Sequence, residues 1–386
     1  MSYTYPDNPI SIYIHWPFCT SKCPYCAFNS YPVTEVLDFE RWKLAYIACI
    51  RHVAERSAAG RTVTSIYFGG GTPSLLSYQF LESLLSEIDK CWAVSKDCEI
   101  SIEMNPGYVT EANVRDFKAI GINRVSIGVQ SLTSEGLRVL GRKHTVENAL
   151  LTIKACAALF SNYSIDLIYA WPNHTLESWK KELVDVFALN LSHISFYQLV
   201  IEDDSTFGHM YSRGELLLPD DDTCANMFEY LQEATDKAGI PAYEISNHAV
   251  PGFECRHNIS YWKYLDYVGI GPGAHSRITL GQQKYATVHE SNPKKWLNSI
   301  MDNQHILEDM VPLSQDEQAK EAILVGLRMV EGIDIRKLPL PLNQIINLEA
   351  YERLIKENYL VVDGDILTAT YKGRKRLNAL IAYLIR

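Results

Sequence analysis

Six short runs of β-branched and aromatic residues, most of them followed by a stretch of helical period, fix most of what this 386-residue chain can become. The expected strands are Ser11–Pro17, Thr64–Gly69, Glu99–Asn105, Arg124–Ser131, Ser164–Ala170 and His193–Val200. Helical periods fill Asp38–Ser57, Tyr78–Cys91, Glu111–Ile120, Val146–Leu159 and Leu176–Leu189. Strand–helix–strand units join parallel strands by right-handed crossovers, so an α/β protein is predicted, its parallel sheet open or curved into a barrel. Nearly continuous apolar runs such as Ser11–Pro17 predict strands buried on both faces. In such folds the chemistry sits at the carboxyl ends of the strands. Polar residues and glycines gather there: three cysteines after the first strand, Gly69-Gly70-Gly71-Thr72-Pro73 after the second, then Glu103, Gln130 and Asp166.

From about Asp220 the pattern changes. Asp221–Gly239 reads as a helix and Ala242–Ser246 as a strand, followed by an irregular stretch, Asn247–Ser276, rich in His, Tyr, Trp and Gly. The tail has helical periods at Gln315–Met329 and Leu348–Glu357 and a hairpin signal around Asp363-Gly364-Asp365, which suggests a winged-helix-like unit. Lys and Arg number 36 against 46 Asp and Glu, and a net charge of −10 argues against a nucleic-acid partner. No apolar run approaches the ~18–20 residues of a membrane span. The opening Met1–Ile10 lacks the basic start and apolar core of a leader, so a cytoplasmic protein is expected.

Nine cysteines, an odd number without an export signal, argue for free thiols. Three of them form C-x3-C-x2-C: Cys19, Cys23 and Cys26. Structural zinc wants four ligands, and only His15 stands nearby as a candidate fourth. A four-iron cube held by three thiolates leaves one iron open, which is useful when another molecule coordinates it. That spacing after a first strand is the signature of S-adenosylmethionine radical chemistry, in which the amino and carboxylate groups of that cofactor take the open iron. A staple of purely structural thiols is the remaining reading. The glycines let a backbone approach a ligand, and Glu103, Gln130, Arg142 and Asp166 are candidates to touch it.

From Tyr13 to Ser276 the sequence resembles the HemN-like radical-SAM family, the oxygen-independent coproporphyrinogen III oxidases and their relatives. The matching pieces are YIHWPFC (Tyr13–Cys19), CPYC (Cys23–Cys26), YFGGGTPSLL (Tyr67–Leu76), EMNP (Glu103–Pro106), RVSIGVQS (Arg124–Ser131), LGRKHT (Leu140–Thr145), DLIY (Asp166–Tyr169) and GIGPGAHS (Gly269–Ser276). The tail, with Gly326-Leu327-Arg328 and Glu331-Gly332-Ile333, is similar to the family's C-terminal domain. The resemblance implies a partial (β/α)6 barrel over residues 1–240, an extension over 241–310 and a C-terminal helical, winged-helix-like domain over 311–386. It implies a [4Fe-4S] cluster on Cys19, Cys23 and Cys26. S-adenosylmethionine would be held by Tyr13, Gly70, Gly71, Thr72, Glu103, Gln130, Arg142 and Asp166, with Tyr25 near a second molecule. One loop departs from the family: Ala170–Thr175 stands where relatives read G-x-P-G-Q-T.

Two features divide the family. The oxidases carry a fourth cysteine two places after the third, and here that position is Phe28. His257-Asn258-Ile259-Ser260-Tyr261-Trp262 matches the H-N-x-x-Y-W of the family's haem chaperones. The resemblance therefore implies a chaperone that binds haem at or near His257 and delivers it to an acceptor protein, membrane-associated acceptors included, with dimerisation supporting the transfer. Oxidative decarboxylation of coproporphyrinogen III is the alternative. An imidazole can ligate iron while its second nitrogen is held by a neighbour. Tyr261 and Trp262 offer flat apolar area, and Arg256 and Lys263 are the nearest cations for haem propionates. Cys255 stays open as a competing ligand.

Overall fold

The structure, a computed structural model, describes residues 8–57, 60–302 and 310–385. The first seven residues, read above for a leader, and residues 303–309 at the end of the expected extension lie outside them. Strands β1 (Pro9–Trp16), β2 (Thr62–Gly70), β3 (Ala93–Met104), β4 (Arg124–Gln130), β5 (Asn162–Tyr169) and β6 (His193–Gln198) stand side by side in chain order, all parallel. Helices Phe39–Ser57, Tyr78–Cys91, Glu111–Ala119, Val146–Leu159 and Leu176–Ala188 lie along the chain between them. Ser77, Thr110, Thr145 and Thr175 each accept a backbone N–H in the first turn of the helix that follows. Such caps are worth about 1 kcal/mol apiece and fix where each strand-end loop stops.

The stretch read as irregular is ordered. β7 (Asn247–Ala249) runs antiparallel beside β6, a helix spans Arg256–Trp262, and β8 (Tyr267–Ile270) lies parallel to β1 on its free side. The strand expected at Ala242–Ser246 is displaced: Ala242 and Glu244 make only isolated bridges, and the ladder with β6 falls to β7. β9 (His275–Leu280), β10 (Gln283–Val288) and β11 (Val311–Pro312) extend the sheet antiparallel. The order is β11-β10-β9-β8-β1-β2-β3-β4-β5-β6-β7, and the two end strands do not pair.

The strands are buried on both faces, as expected, but the alternation along each makes only one of those faces apolar. Ile10, Ile12, Ile14 and Trp16 of β1 belong to the apolar core with the helices, so Ser11, Tyr13 and His15 between them turn to the other face. That inner face is polar, as in a barrel with work to do inside it. A separate apolar core, including Ile323, Ile345, Leu354, Leu367 and Leu384, holds the C-terminal unit, whose hairpin Leu360–Asp363/Ile366–Ala369 gains a third strand at Ile333–Asp334. Among the described residues no helix is long and apolar enough to cross a membrane.

At the amino ends of the strands, buried Asp266 takes Arg61 at 2.7 Å and Lys284 at 2.8 Å. Burial pushes its pKa up, but Lys284 and Arg61 outweigh that and hold it below the usual carboxylate value. Removing one member of a buried ionic group strands its partners. Asp266→Asn is expected to destabilise the protein by about 3 kcal/mol or more, read as a lower midpoint in denaturant titration.

Candidate functional site

The cysteine loop is clasped at its neck. Phe18–Cys19 pairs with Tyr31–Pro32, and Val33 N–H donates to the Cys19 carbonyl at 2.9 Å. His15 Nε2 lies 2.9 Å from the Asn29 carbonyl, and Asn29 Nδ2 donates to the Pro272 and Ser291 carbonyls at 3.0 and 2.9 Å. The turn after β8 that holds Pro272 is therefore a brace for the cysteine loop. The glycine turn after β2 is bound to the same backbone: Gly71 N–H donates to Trp16 O at 2.7 Å and Thr72 N–H to Phe18 O at 2.8 Å.

A cavity of about 520 Å³ opens at the carboxyl ends of the strands, and the cysteine loop forms one wall. Cys19, Cys23, Cys26, Tyr25, Gly70, Gly71, Thr72, Glu103, Gln130, Arg142 and Asp166 all line it. Arg142 bridges two walls: it donates to Asn105 Oδ1 and Gly128 O, each at 2.8 Å, and Nη1 lies 3.4 Å from Cys23 Sγ. Gln130 reaches the cavity from the last position of β4, in the left-handed region at φ 71°. Glu103 accepts from Gly70 N–H and Tyr67 Oη, both at 3.1 Å, and burial, with Asp166 second, pushes its pKa up to about 8. Asp166 accepts from Ser126 Oγ at 2.9–3.0 Å, and burial raises its pKa too. Two half-buried carboxyl groups reluctant to ionise suit a ligand that brings positive charge.

One regularity was missed in the sequence. Each of β1–β6 carries a serine, an apolar residue and then the residue that reaches the strand's upper inner face: Ser11-Ile-Tyr13, Ser65-Ile-Tyr67, Ser101-Ile-Glu103, Ser126-Ile-Gly128, Ser164-Ile-Asp166 and Ser195-Phe-Tyr197. Aligning the six strands with one another, rather than each with a strand template, exposes it. Ser101, Ser126, Ser164 and Ser195 line the cavity below the carboxylates, as do Arg124 and His193 at the strand starts.

Tyr13 and His257 are not brought to the cavity lining. Tyr13 Oη lies 3.0 Å from His15 Nδ1, and its ring stands beside Tyr67 and His257. His257 is 1 % exposed: Nδ1 lies 2.8 Å from Ser65 Oγ, Nε2 lies 3.1 Å from Tyr261 Oη, and the ring stacks on Tyr67. Burial lowers its pKa to about 3, so it is neutral. Arg256 and Lys263 do not make the cavity basic. Arg256 lies against Asp97 at 3.3 Å and Glu99 at 3.9 Å, and Lys263 against Glu331 at 3.0 Å. Cys255, buried and pushed up to about 12 by burial, does reach the cavity. Phe28 stands at the rim, 63 % exposed.

The donor set fits an iron–sulfur cluster by its chemistry. Three thiols, none in a disulfide, share one wall, and Cys19 is pushed up to about 11 by burial and then by Cys26 and Cys23. Among the described residues no three His, Cys, Asp or Glu side chains are gathered around a single-ion position.

Residues 13–185 match the radical SAM superfamily and residues 313–375 the HemN C-terminal domain. A heme chaperone HemW from Escherichia coli is 33% identical over 97% of both chains. A mitochondrial radical S-adenosyl methionine domain-containing protein 1 from Dictyostelium discoideum is 33% identical over 98% of this chain and 95% of its own. Among solved structures, the coproporphyrinogen III oxidase HemN from Escherichia coli superimposes with a TM-score of 0.81 at 22% identity, covering 98% of this chain and 90% of its own, a likeness of fold.

Proposed function

The chain belongs to the HemN-like radical SAM family, and on that premise we propose that it is a haem chaperone, binding haem and passing it to an acceptor protein. The observation that carries the choice is Phe28, an exposed phenyl ring at the cavity rim where the oxidase pattern has a fourth cysteine. The near-full-length identity to a relative named as a heme chaperone supports the same reading. Cys19, Cys23 and Cys26 would hold a [4Fe-4S] cluster, with Arg142 steadying the Cys23 sulfur. When bound, the cluster and S-adenosylmethionine supply reductive one-electron chemistry. The glycine turn, Gln130, Glu103 and Asp166 would position the sulfonium cofactor, and dimerisation would accompany transfer.

His257 serves as the haem ligand in a state that differs from this one, because its two ring nitrogens are already taken by Ser65 and Tyr261. Tyr261→Phe releases one of them, and a net hydrogen bond of about 1 kcal/mol corresponds to roughly fivefold tighter haem binding. His257→Ala is expected to abolish the haem Soret shift. A variant that binds haem as wild type does would sink the ligand assignment. For the activity itself, anaerobically reconstituted protein should take up haem stoichiometrically and should not convert coproporphyrinogen III over repeated turnovers with a reductant. Multiple-turnover decarboxylation would establish the oxidase instead.

A further inference from the structure

Below the strand-end carboxylates the cavity continues toward the amino ends of the strands, and several residues that line it there carry polar atoms without partners. Closed barrels fill this level with branched apolar side chains. Here Ser101, Ser126, Ser164 and Ser195 leave it hollow. Arg124, 2 % exposed, donates through Nη1 to Asn162 Oδ1 at 2.6 Å and to Phe253 O at 3.2 Å, while Nη2 has no partner among the described residues. Glu99 lies 3.9 Å from Nη1, but its oxygens already accept from Cys255 Sγ and from the backbone N–H groups of Arg256 and His257.

His193 adds a second donor. Its Nε2 lies 2.9 Å from Tyr243 Oη, and that hydroxyl accepts from Cys255 N–H at 3.3 Å. Nε2 is the one acceptor recorded for the Tyr243 proton among the described residues, so the network assigns that proton to Nε2 and the imidazole proton to Nδ1, which is unpartnered. Ser101 Oγ is a third unpartnered group and Asn247 Oδ1 a lone acceptor. A guanidinium, an imidazole N–H and a hydroxyl on residues lining the same cavity match the lone pairs of a carboxylate.

We propose that this lower compartment is a carboxylate subsite, receiving the carboxylate arm of the molecule the cavity binds. Resting on the haem reading above, the arm is a propionate of the tetrapyrrole, drawn to Arg124 rather than to Arg256 or Lys263. Wild-type protein is titrated with iron protoporphyrin IX and with its dimethyl ester, and separately with sodium propionate by calorimetry. Ser101→Leu, which fills the compartment and leaves every Arg124 bond intact, and Arg124→Gln are run beside it, with melting curves to certify folding. The diacid should bind at least tenfold tighter than the ester, and Ser101→Leu should erase that difference. Equal affinity of acid and ester in folded wild type overturns the assignment of the arm. If neither porphyrin binds, the haem reading falls and the propionate titration decides: heat that Ser101→Leu abolishes upholds a carboxylate subsite for a small free acid, and no heat in wild type overturns it.

Discussion

Alanine at Gly71 is expected to lower S-adenosylmethionine affinity about 100-fold and to reduce cluster occupancy, while the helices and most of the sheet stay folded. A Cβ at Gly71 would stand 2.5 Å from the Phe18 carbonyl oxygen and 2.7 Å from its carbon, and both atoms are backbone that cannot rotate away. The next residue along that backbone is Cys19, so the displacement goes straight into the cysteine loop. Gly70 is constrained twice: its φ is 107°, and a Cβ there would meet His15 Cε1 at 2.6 Å and Trp16 O at 2.8 Å. Gly70 N–H also holds Glu103, so Gly70→Ala should disturb the carboxylate as well as the loop. At 1.4 kcal/mol per decade, a 100-fold loss asks for about 2.8 kcal/mol, within reach of a forced contact with backbone that cannot rotate away. Gly239→Ala is the control. It shares the positive φ, 74°, with nothing within 4 Å of its Cβ, so it should cost about 1 kcal/mol of stability and leave cofactor affinity alone. Calorimetry and iron analysis of the reconstituted variants separate close approach from strain.

The affinity for S-adenosylmethionine should climb with pH, by up to tenfold per unit between about 6 and 8, and level off above. Glu103 is protonated in the free protein below about pH 8, because burial first and Asp166 second raise its pKa. A sulfonium ligand favours the carboxylate, so binding below pH 8 expels a proton and is opposed by acid; above pH 8 no proton remains to expel. Stability runs the other way. With the folded pKa above the unfolded one, the free protein is favoured by this group below about pH 4.5 and loses that contribution as pH rises through about 8. Calorimetric titrations at several pH values, with Glu103→Gln beside wild type, check both signs. The variant should bind more weakly at pH 8 and show a flatter profile, and a slope equal to wild type would assign the proton elsewhere.

The helices were legible because periodicity and caps agree: Tyr78–Cys91 and Val146–Leu159 begin and end where the sequence puts them. β8 was not legible. It is four residues long, sits among glycines, and is a strand only because β1, some 250 residues earlier, offers it an open edge. β7 was misplaced for a related reason, since pairing with β6 rather than local propensity chooses Asn247–Ala249 over Ala242–Ser246. In the site, residues at the carboxyl ends of strands announced themselves by chemistry, as Glu103, Asp166 and the glycine turn do. Arg124 and His193 did not, because they open their strands, where charge usually reads as a solvated flank. The serines escaped notice as ordinary strand residues until the inner face was assembled. His257 illustrates the converse: a motif locates the residue in the chain, while only the packing of Tyr67, Ser65 and Tyr261 around it tells how its ring is occupied.

The placement of β8 against β1 bears on how the protein is made. β1 leaves the ribosome before the other strands, yet one of its two ladders stays unpaired until residue 270 has been synthesised, about two-thirds of the chain later. Until then Ile12 and Ile14 lie on a naked strand edge, the kind of surface that recruits other nascent chains. Nascent chains that stall before Tyr267 should therefore aggregate or stay bound to holdases, and release should coincide with the arrival of the Gly269–Ser276 segment rather than with completion of the sixth strand–helix unit.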